Sequence, residues 1–180
     1  MKKILILGAS ILQLPAIIKA KEMGLYVIGV DINPNAIGLQ KCDHYEIVST
    51  TDKKKVLEVA REYGIDGILT VASDKPMMTV AYVSEQFGLH SISMYSAERT
   101  TNKFLMREAL QNNNIPVPQF FKITNQDDLL EKIDLIGSKC IIKPTDNSGS
   151  RGVSLVSIND VEKCKQAFQY ALDNSDIKEV

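Results

Sequence analysis

Residues 3–31, KILILGASILQLPAIIKAKEMGLYVIGVD, decide how the first half of the chain folds. Lys3 to Gly8 is a short continuous apolar run, the pattern of a strand covered on both faces. From Gln13 to Met23, residues Leu14, Ile17, Ile18 and Ala20 recur near helical spacing, and Gly24 is a natural stop. Tyr26 to Asp31 reads as a second buried strand. Strand, helix and strand in that succession form a β-α-β unit, which requires parallel pairing and a right-handed crossover.

Downstream the alternation continues. A loop with Asn33-Pro34-Asn35 precedes a short strand at Tyr45–Val48. Thr51 or Asp52 can cap a helix whose Val56, Leu57, Val59 and Ala60 face inward, with Gly64 at its end. Gly67–Ala72 is the next strand and Lys75–Phe87 the next helix, stopped at Gly88. Residues 1–96 are therefore expected to form a doubly wound, Rossmann-like α/β domain. Residues 97–180 change character. A helix carrying Phe104, Leu105, Met106, Ala109 and Leu110 stops at Asn112-Asn113-Asn114. The following Ile115–Pro118 (IPVP) enforces an extended path, because each proline disfavours helix before it. Phe120–Ile123, Cys140–Lys143 and Val153–Val156 read as strands, with helices over Gln126–Ile133 and Asn159–Leu172. This second region is α+β.

The balance of charge narrows the partners. With Lys+Arg 21 against Asp+Glu 22, the formal net charge is -1, and no basic run is present, which argues against nucleic acid as the main partner. No apolar stretch approaches the roughly 18 residues of a membrane span. At 180 residues with 44% hydrophobic residues, the chain can bury a core without disulfide or metal. Cys42, Cys140 and Cys164 are scattered and odd in number, as expected of reduced thiols in a cytoplasmic protein. Met1-Lys2-Lys3 runs straight into the first strand with no cleavage-site grammar.

Ligands of an open parallel sheet sit beyond the carboxyl ends of its strands, where this sequence places Gly8-Ala9-Ser10, Asp31 and Ser73-Asp74. Asp31 stands where a dinucleotide-binding domain carries its ribose-binding acid. However, Gly8 is followed by Ala9, Ser10, Ile11, Leu12 and Gln13, so the glycines that admit a pyrophosphate are missing, and no Gly-Lys-Ser/Thr of a P-loop follows either. A different small ligand near Ser10, Gln13 and Asp74 competes with a plain strand-to-helix turn.

The segment richest in chemistry is Cys140–Val153, CIIKPTDNSGSRGV. A strand delivers Lys143, Pro144 ends it, and a loop follows with Ser148, Gly149, Ser150, Arg151 and Gly152. Glycines allow positive φ and close backbone approach, so successive N–H groups can converge on an anion. The hydroxyls and the Arg151 fork add donors. A hairpin whose turn happens to be Ser/Gly-rich and basic is the plain alternative.

Lys103-Phe104-Leu105-Met106-Arg107, then IPVP, then the strand ending Ile142-Lys143-Pro144 with DNSGSRGV, resembles the ATP-grasp superfamily. Within it the carbamoyl-phosphate synthase large-subunit and biotin carboxylase group looks most similar. The likeness extends through the first domain, including Asp43-His44 and Thr70–Asp74, to the pre-ATP-grasp domain of those enzymes. It implies that Lys103 and Lys143 contact the phosphates of ATP and that Ser148–Gly152 forms a mobile lid over them. The implied reaction makes an acyl phosphate from a carboxylate and ATP, which an amine or another nucleophile then attacks. Ser10, Gln13 and Asp74 would help hold the non-nucleotide substrate.

Two departures accompany the resemblance. The family often has Asp where this chain has Asn102. Only the first of the two lobes that sandwich the nucleotide is expected here, and the Mg2+ ligands belong to the second. The later acids Asp160, Glu162, Asp173, Asp176 and Glu179 read as helix surface and helix end, so none is assigned to a metal. His44 and His90 read as turn or strand-edge residues, Cys140 and Cys164 as packing, Lys53-Lys54-Lys55 as solvated charge, and Met77-Met78 as core. The expectation is the N-terminal portion of an ADP-forming carboxylate-activating ligase, itself without turnover. A non-catalytic nucleotide-binding module and an NAD(P)-dependent oxidoreductase are the rivals.

Overall fold

The apolar run at residues 3–8 becomes the middle of a parallel sheet in the computed structural model, which describes residues 1–180. The chain divides into two units, Met1–Ala97 and Glu98–Val180. In the first, strands β1 (Lys3–Leu7), β2 (Tyr26–Asp31), β3 (His44–Ile47) and β4 (Gly67–Leu69) lie in the order β3-β2-β1-β4. All three pairings are parallel, with Leu5 opposite both Ile28 and Ile68. Helices α1 (Leu14–Glu22) and α2 (Lys53–Tyr63) make the crossovers from β1 to β2 and from β3 to β4, and α3 (Met77–Phe87) and α4 (Met94–Thr101) follow β4.

Strand side chains alternate between faces, and here each face has its own core. Leu5, Leu7, Ile28 and Val30 pack with Val56, Leu57, Val80 and Val83 of α2 and α3. Ile6 and Val27 point the other way, onto Ile17 and Ala20 of α1 with Ala36 and Leu39. Burial of each such side chain contributes about 1.5–3 kcal/mol relative to exposure, which is why β1 and β2 are apolar except for Lys3 and Asp31 at their ends. Asp52 is the residue that caps α2, accepting the Lys55 N–H. A 3-10 turn at Leu39–Lys41 and helix α4 have no counterpart in the sequence reading.

In the second unit, α5 (Lys103–Asn112) is capped by Asn102, whose side chain accepts from the N–H groups of Phe104 and Leu105. Asn102 thus serves the cap as Asp would. Helices α6 (Gln126–Ile133) and α7 (Val161–Asp173) pack one face of an antiparallel hairpin, β5 (Lys139–Ile142) and β6 (Ser154–Ser157), around Phe168, Leu129, Ile142 and Cys164. Phe120–Ile123, expected as a strand, is extended but is not one. Its only ladder contact is a reciprocal pair between Ile123 and Val180 at 2.8 and 3.1 Å, and one pair does not make a ladder.

One edge of β5 carries no strand partner. The Ile158 N–H donates to the Ser138 carbonyl, in register with Cys140 opposite Val156 and Ile142 opposite Ser154. Antiparallel alternation then turns the N–H and C=O groups of Lys139 and Ile141 to the opposite edge. No helix in the chain is long and apolar enough to cross a membrane.

Candidate functional site

A cavity of about 420 Å³ opens in the second unit between α5, α6, β5 and the extended Phe120–Ile123 segment. Its apolar part includes Ile123, Ile133, Ile142 and Val180, and the backbone edge of β5 borders it. The charged side chains of its lining are all basic. Lys103, Arg107, Lys132, Lys139 and Lys143 contribute, and no Asp or Glu does. Lys132 is answered from outside the lining by an ion pair with Asp128.

Lys143 leaves the end of β5 into this space. Burial first, then the neighbouring charges of Arg107 and Lys103, hold its ammonium below the ordinary lysine value. Taking a cation out of water beside two others is unfavourable unless an anion joins them. Lys103 enters from the first turn of α5. Its N–H donates to the Thr145 carbonyl at 2.8 Å, and its ammonium donates to the carbonyl of Asn147. The helix start is thereby fastened to the segment that leads into the loop.

The loop itself is a hairpin connection. Gly149 and Ser150 both have positive φ, 68° and 59°, as in the primed turns that suit the twist of paired strands. Gly149, Ser150 and Arg151 are exposed. Arg151 Nε donates to the Ser148 carbonyl at 3.3 Å, and the Ser148 N–H donates to Asn147 Oδ1 at 2.9 Å. Gly152 is buried at φ 74°, where an added Cβ would stand 2.8 Å from Asn174 Cβ and 2.9 Å from Pro144 Cγ. Lys103 and Lys143 thus meet in one cavity, while Ser148 to Gly152 lie beyond its lining. The loop joins the site through Asn147.

In the first unit, Ser10 and Gln13 meet at the carboxyl end of β1. Gln13 is 4% exposed. Its Oε1 accepts from the Ser10 N–H at 3.1 Å and the Ser10 hydroxyl at 2.6 Å, and its Nε2 donates to the Val71 carbonyl at 2.6 Å. The side chain therefore bridges the crevice between β1 and β4, the point where the strand order reverses and where such folds admit a ligand. Asp31 is occupied too, accepting from the N–H groups of Ala9 and Asn33 at 2.7 and 2.8 Å. Both features disfavour a dinucleotide there. Asp74 is exposed, two residues beyond Ala72, which holds a φ of 55°.

Other polar residues go to structure. His44 lies on the edge strand β3, with Nε2 2.9 Å from Glu46 Oε1 and 2.5 Å from the Tyr63 hydroxyl. The three cysteines are unpaired; burial pushes the Cys42 thiol up to about 11 and raises Cys140 and Cys164 as well, so none is an activated nucleophile. No group of three or more His, Cys, Asp or Glu comes together to hold a metal ion. Arg107 is the site residue that sequence reasoning missed. Its one signal was its place four residues after Lys103, on the same helix face.

No family model matches the chain. A formate-dependent phosphoribosylglycinamide formyltransferase of Prochlorococcus marinus is 29% identical over 176 residues, covering 97% of this chain and 44% of the relative. Among solved structures, the N5-carboxyaminoimidazole ribonucleotide synthetase of Thermotoga maritima superposes with a TM-score of 0.71 at 23% identity, over 91% of this chain and 43% of that one. An ADP complex of an N5-carboxyaminoimidazole ribonucleotide synthetase reaches 0.76 at 22% identity, over 92% and 44%. The chain spans less than half the length of these proteins.

Proposed function

We propose that this chain, which belongs to the ATP-grasp superfamily and matches the N-terminal part of its members, supplies the first half of the ATP site of an ADP-forming, carboxylate-activating ligase. The observation that carries the reading is the convergence of Lys103 and Lys143 on one cavity whose lining has no Asp or Glu. Two cations brought together with burial working against one of them suit a polyphosphate. In the proposed reaction a carboxylate oxygen attacks the γ-phosphorus of ATP and the bond to the bridging oxygen breaks. ADP leaves and an acyl phosphate remains. An amine nitrogen or another nucleophile then attacks the acyl carbon, expels inorganic phosphate and loses its proton.

This chain's part is charge neutralisation and positioning, the main protein contribution to phosphoryl transfer. Lys143 and Lys103 are proposed to hold phosphate oxygens. Asn147, fastened to Lys103, sets where the Ser148–Gly152 loop begins, and that loop is proposed to close over the phosphates with its N–H groups, hydroxyls and Arg151. Ser10 and Asp74 of the first unit are proposed to face the non-nucleotide substrate, with Gln13 fixing Ser10. Mg2+ accompanies ATP in such chemistry, but the acids of this chain do not cluster to hold it.

The similar proteins are named as a formate-dependent formyltransferase and carboxyaminoimidazole ribonucleotide synthetases, and formate is the carboxylate we propose to test first. Calorimetric titration of the chain with ATP and with NADH tests the nucleotide. ATP binding that Lys143→Ala weakens about tenfold or more, with no NADH binding, supports the reading. NADH binding tighter than ATP defeats it. A protein containing this chain that binds ATP yet releases no ADP with any carboxylate and amine would be a nucleotide-binding module instead.

A further inference from the structure

The geometry points to Arg107 as a third cationic contact of the phosphate chain, the one that makes the site sensitive to how many phosphates its ligand carries. This role rests on the nucleotide reading above and goes one residue beyond it. Arg107 lines the same cavity as Lys103 and Lys143. Four residues after Lys103 on α5, it lies one helical turn further along the same face. No carboxylate pairs with it in the structure. Its guanidinium carbon sits 5.9 Å from the centre of the Phe120 ring, which a T-shaped contact with Phe104 holds at 5.6 Å.

Those contacts decide between two roles. An arginine whose stem merely covers apolar surface sends its head into water. Here the head lies over a fixed aromatic ring, in a cavity lined by four lysines and by no Asp or Glu. Of the two neighbouring charges that disfavour the Lys143 ammonium, that of Arg107 acts more strongly than that of Lys103. Arg107 together with Lys103 and Lys143 forms a receptor for charge spread along a chain, not for a single phosphate. A planar fork also engages two phosphate oxygens at once, which an ammonium does not.

The test is titration of the 180-residue chain with ATP, ADP, AMP and inorganic tripolyphosphate, followed by amide NMR so that weak binding is measurable. The expected affinities rise from AMP to ATP. Arg107→Ala weakens ATP and tripolyphosphate about tenfold and AMP by less than about twofold, with Arg107→Lys between. An ATP-to-AMP ratio unchanged in Arg107→Ala overturns the inference. Absence of ATP binding by the unsubstituted chain overturns the nucleotide reading itself, a different result. Lysine-selective NMR of the ligand-free chain adds a check that stability alone does not move. The Lys143 pKa rises in Arg107→Ala, and an unmoved value means the guanidinium does not face that ammonium.

Discussion

The Lys103 ammonium donates to the main-chain carbonyl of Asn147, the residue immediately before the Ser-Gly loop. A side chain that would contact a ligand's phosphates is therefore also the tether of the loop proposed to cover them. Lys103→Met keeps the aliphatic stem and the N–H bond to Thr145 but removes the tether. One lost hydrogen bond of about 1–1.5 kcal/mol corresponds to roughly tenfold faster local opening. Hydrogen exchange at residues 147–152 should accelerate by that factor while α7 stays protected. An unchanged loop would show that the ammonium does not hold it.

Lys143 should cost the ligand-free chain stability. Its pKa lies below that of a free lysine, so the folded state disfavours the charged form. Linkage gives the sign. The penalty is full at pH values below the folded pKa and vanishes as pH rises through that value toward the unfolded one of about 10.4. Lys143→Met should therefore melt about 1–2 °C higher at pH 7, solvent screening keeping the gain small, with the difference shrinking as pH rises toward the free-lysine range. It should also weaken ATP binding about tenfold or more. A variant that melts lower at pH 7 would contradict the charge argument.

Where the sequence was readable, burial was the reason. The runs Ile4–Leu7 and Tyr26–Val30 are apolar because both faces of those strands are covered, and the helix expected over Gln126–Ile133 is α6 with those bounds. Helix α4 went unread because only Ala97 of Met94–Thr101 is buried, so no apolar stripe announces it. Phe120–Ile123 has strand composition but only one ladder pair, and pairing is not a local property. Arg107 was hidden for a related reason. On an amphipathic helix it looks like any solvated charge, and only folding brings it to Lys143, which is remote in sequence. The first unit's Gln13 was singled out by position, yet the one of its three hydrogen bonds that reaches the Val71 carbonyl joins segments that no spacing rule connects.

Gly149 and Gly152 sit three residues apart in the same loop and should respond very differently to alanine. Around Gly149 an added Cβ meets only the Arg151 Nε at 4.0 Å, so Gly149→Ala bears the positive-φ cost alone, about 1 kcal/mol. At Gly152 the same φ cost is joined by contacts under 3.0 Å with Asn174 and Pro144. Gly152→Ala should lose roughly 2–4 kcal/mol in urea melts. Equal losses at the two positions would mean that the packing of Gly152 against Pro144 is not as the structure has it.

Gln13→Leu removes the bridge between β1 and β4 while nearly keeping its volume, so the result reports hydrogen bonds more than a cavity. Three bonds disappear, two to Ser10 and one to the Val71 carbonyl. Buried polar groups left without partners cost about 1–3 kcal/mol each, and partial relief by water at the strand ends brings the expected loss to roughly 2–4 kcal/mol. The damage should be local in a defined way. Val71 precedes Ala72, whose φ of 55° is unfavourable for a residue with a Cβ, and its carbonyl is the group Gln13 holds. Freed from it, Ala72 can relax to negative φ. Hydrogen exchange should then rise first at residues 70–74, before the paired core of β1 and β2. Stability lost evenly across the sheet, with residues 70–74 no faster than β2, would show that Gln13 supports the fold without holding that strained segment.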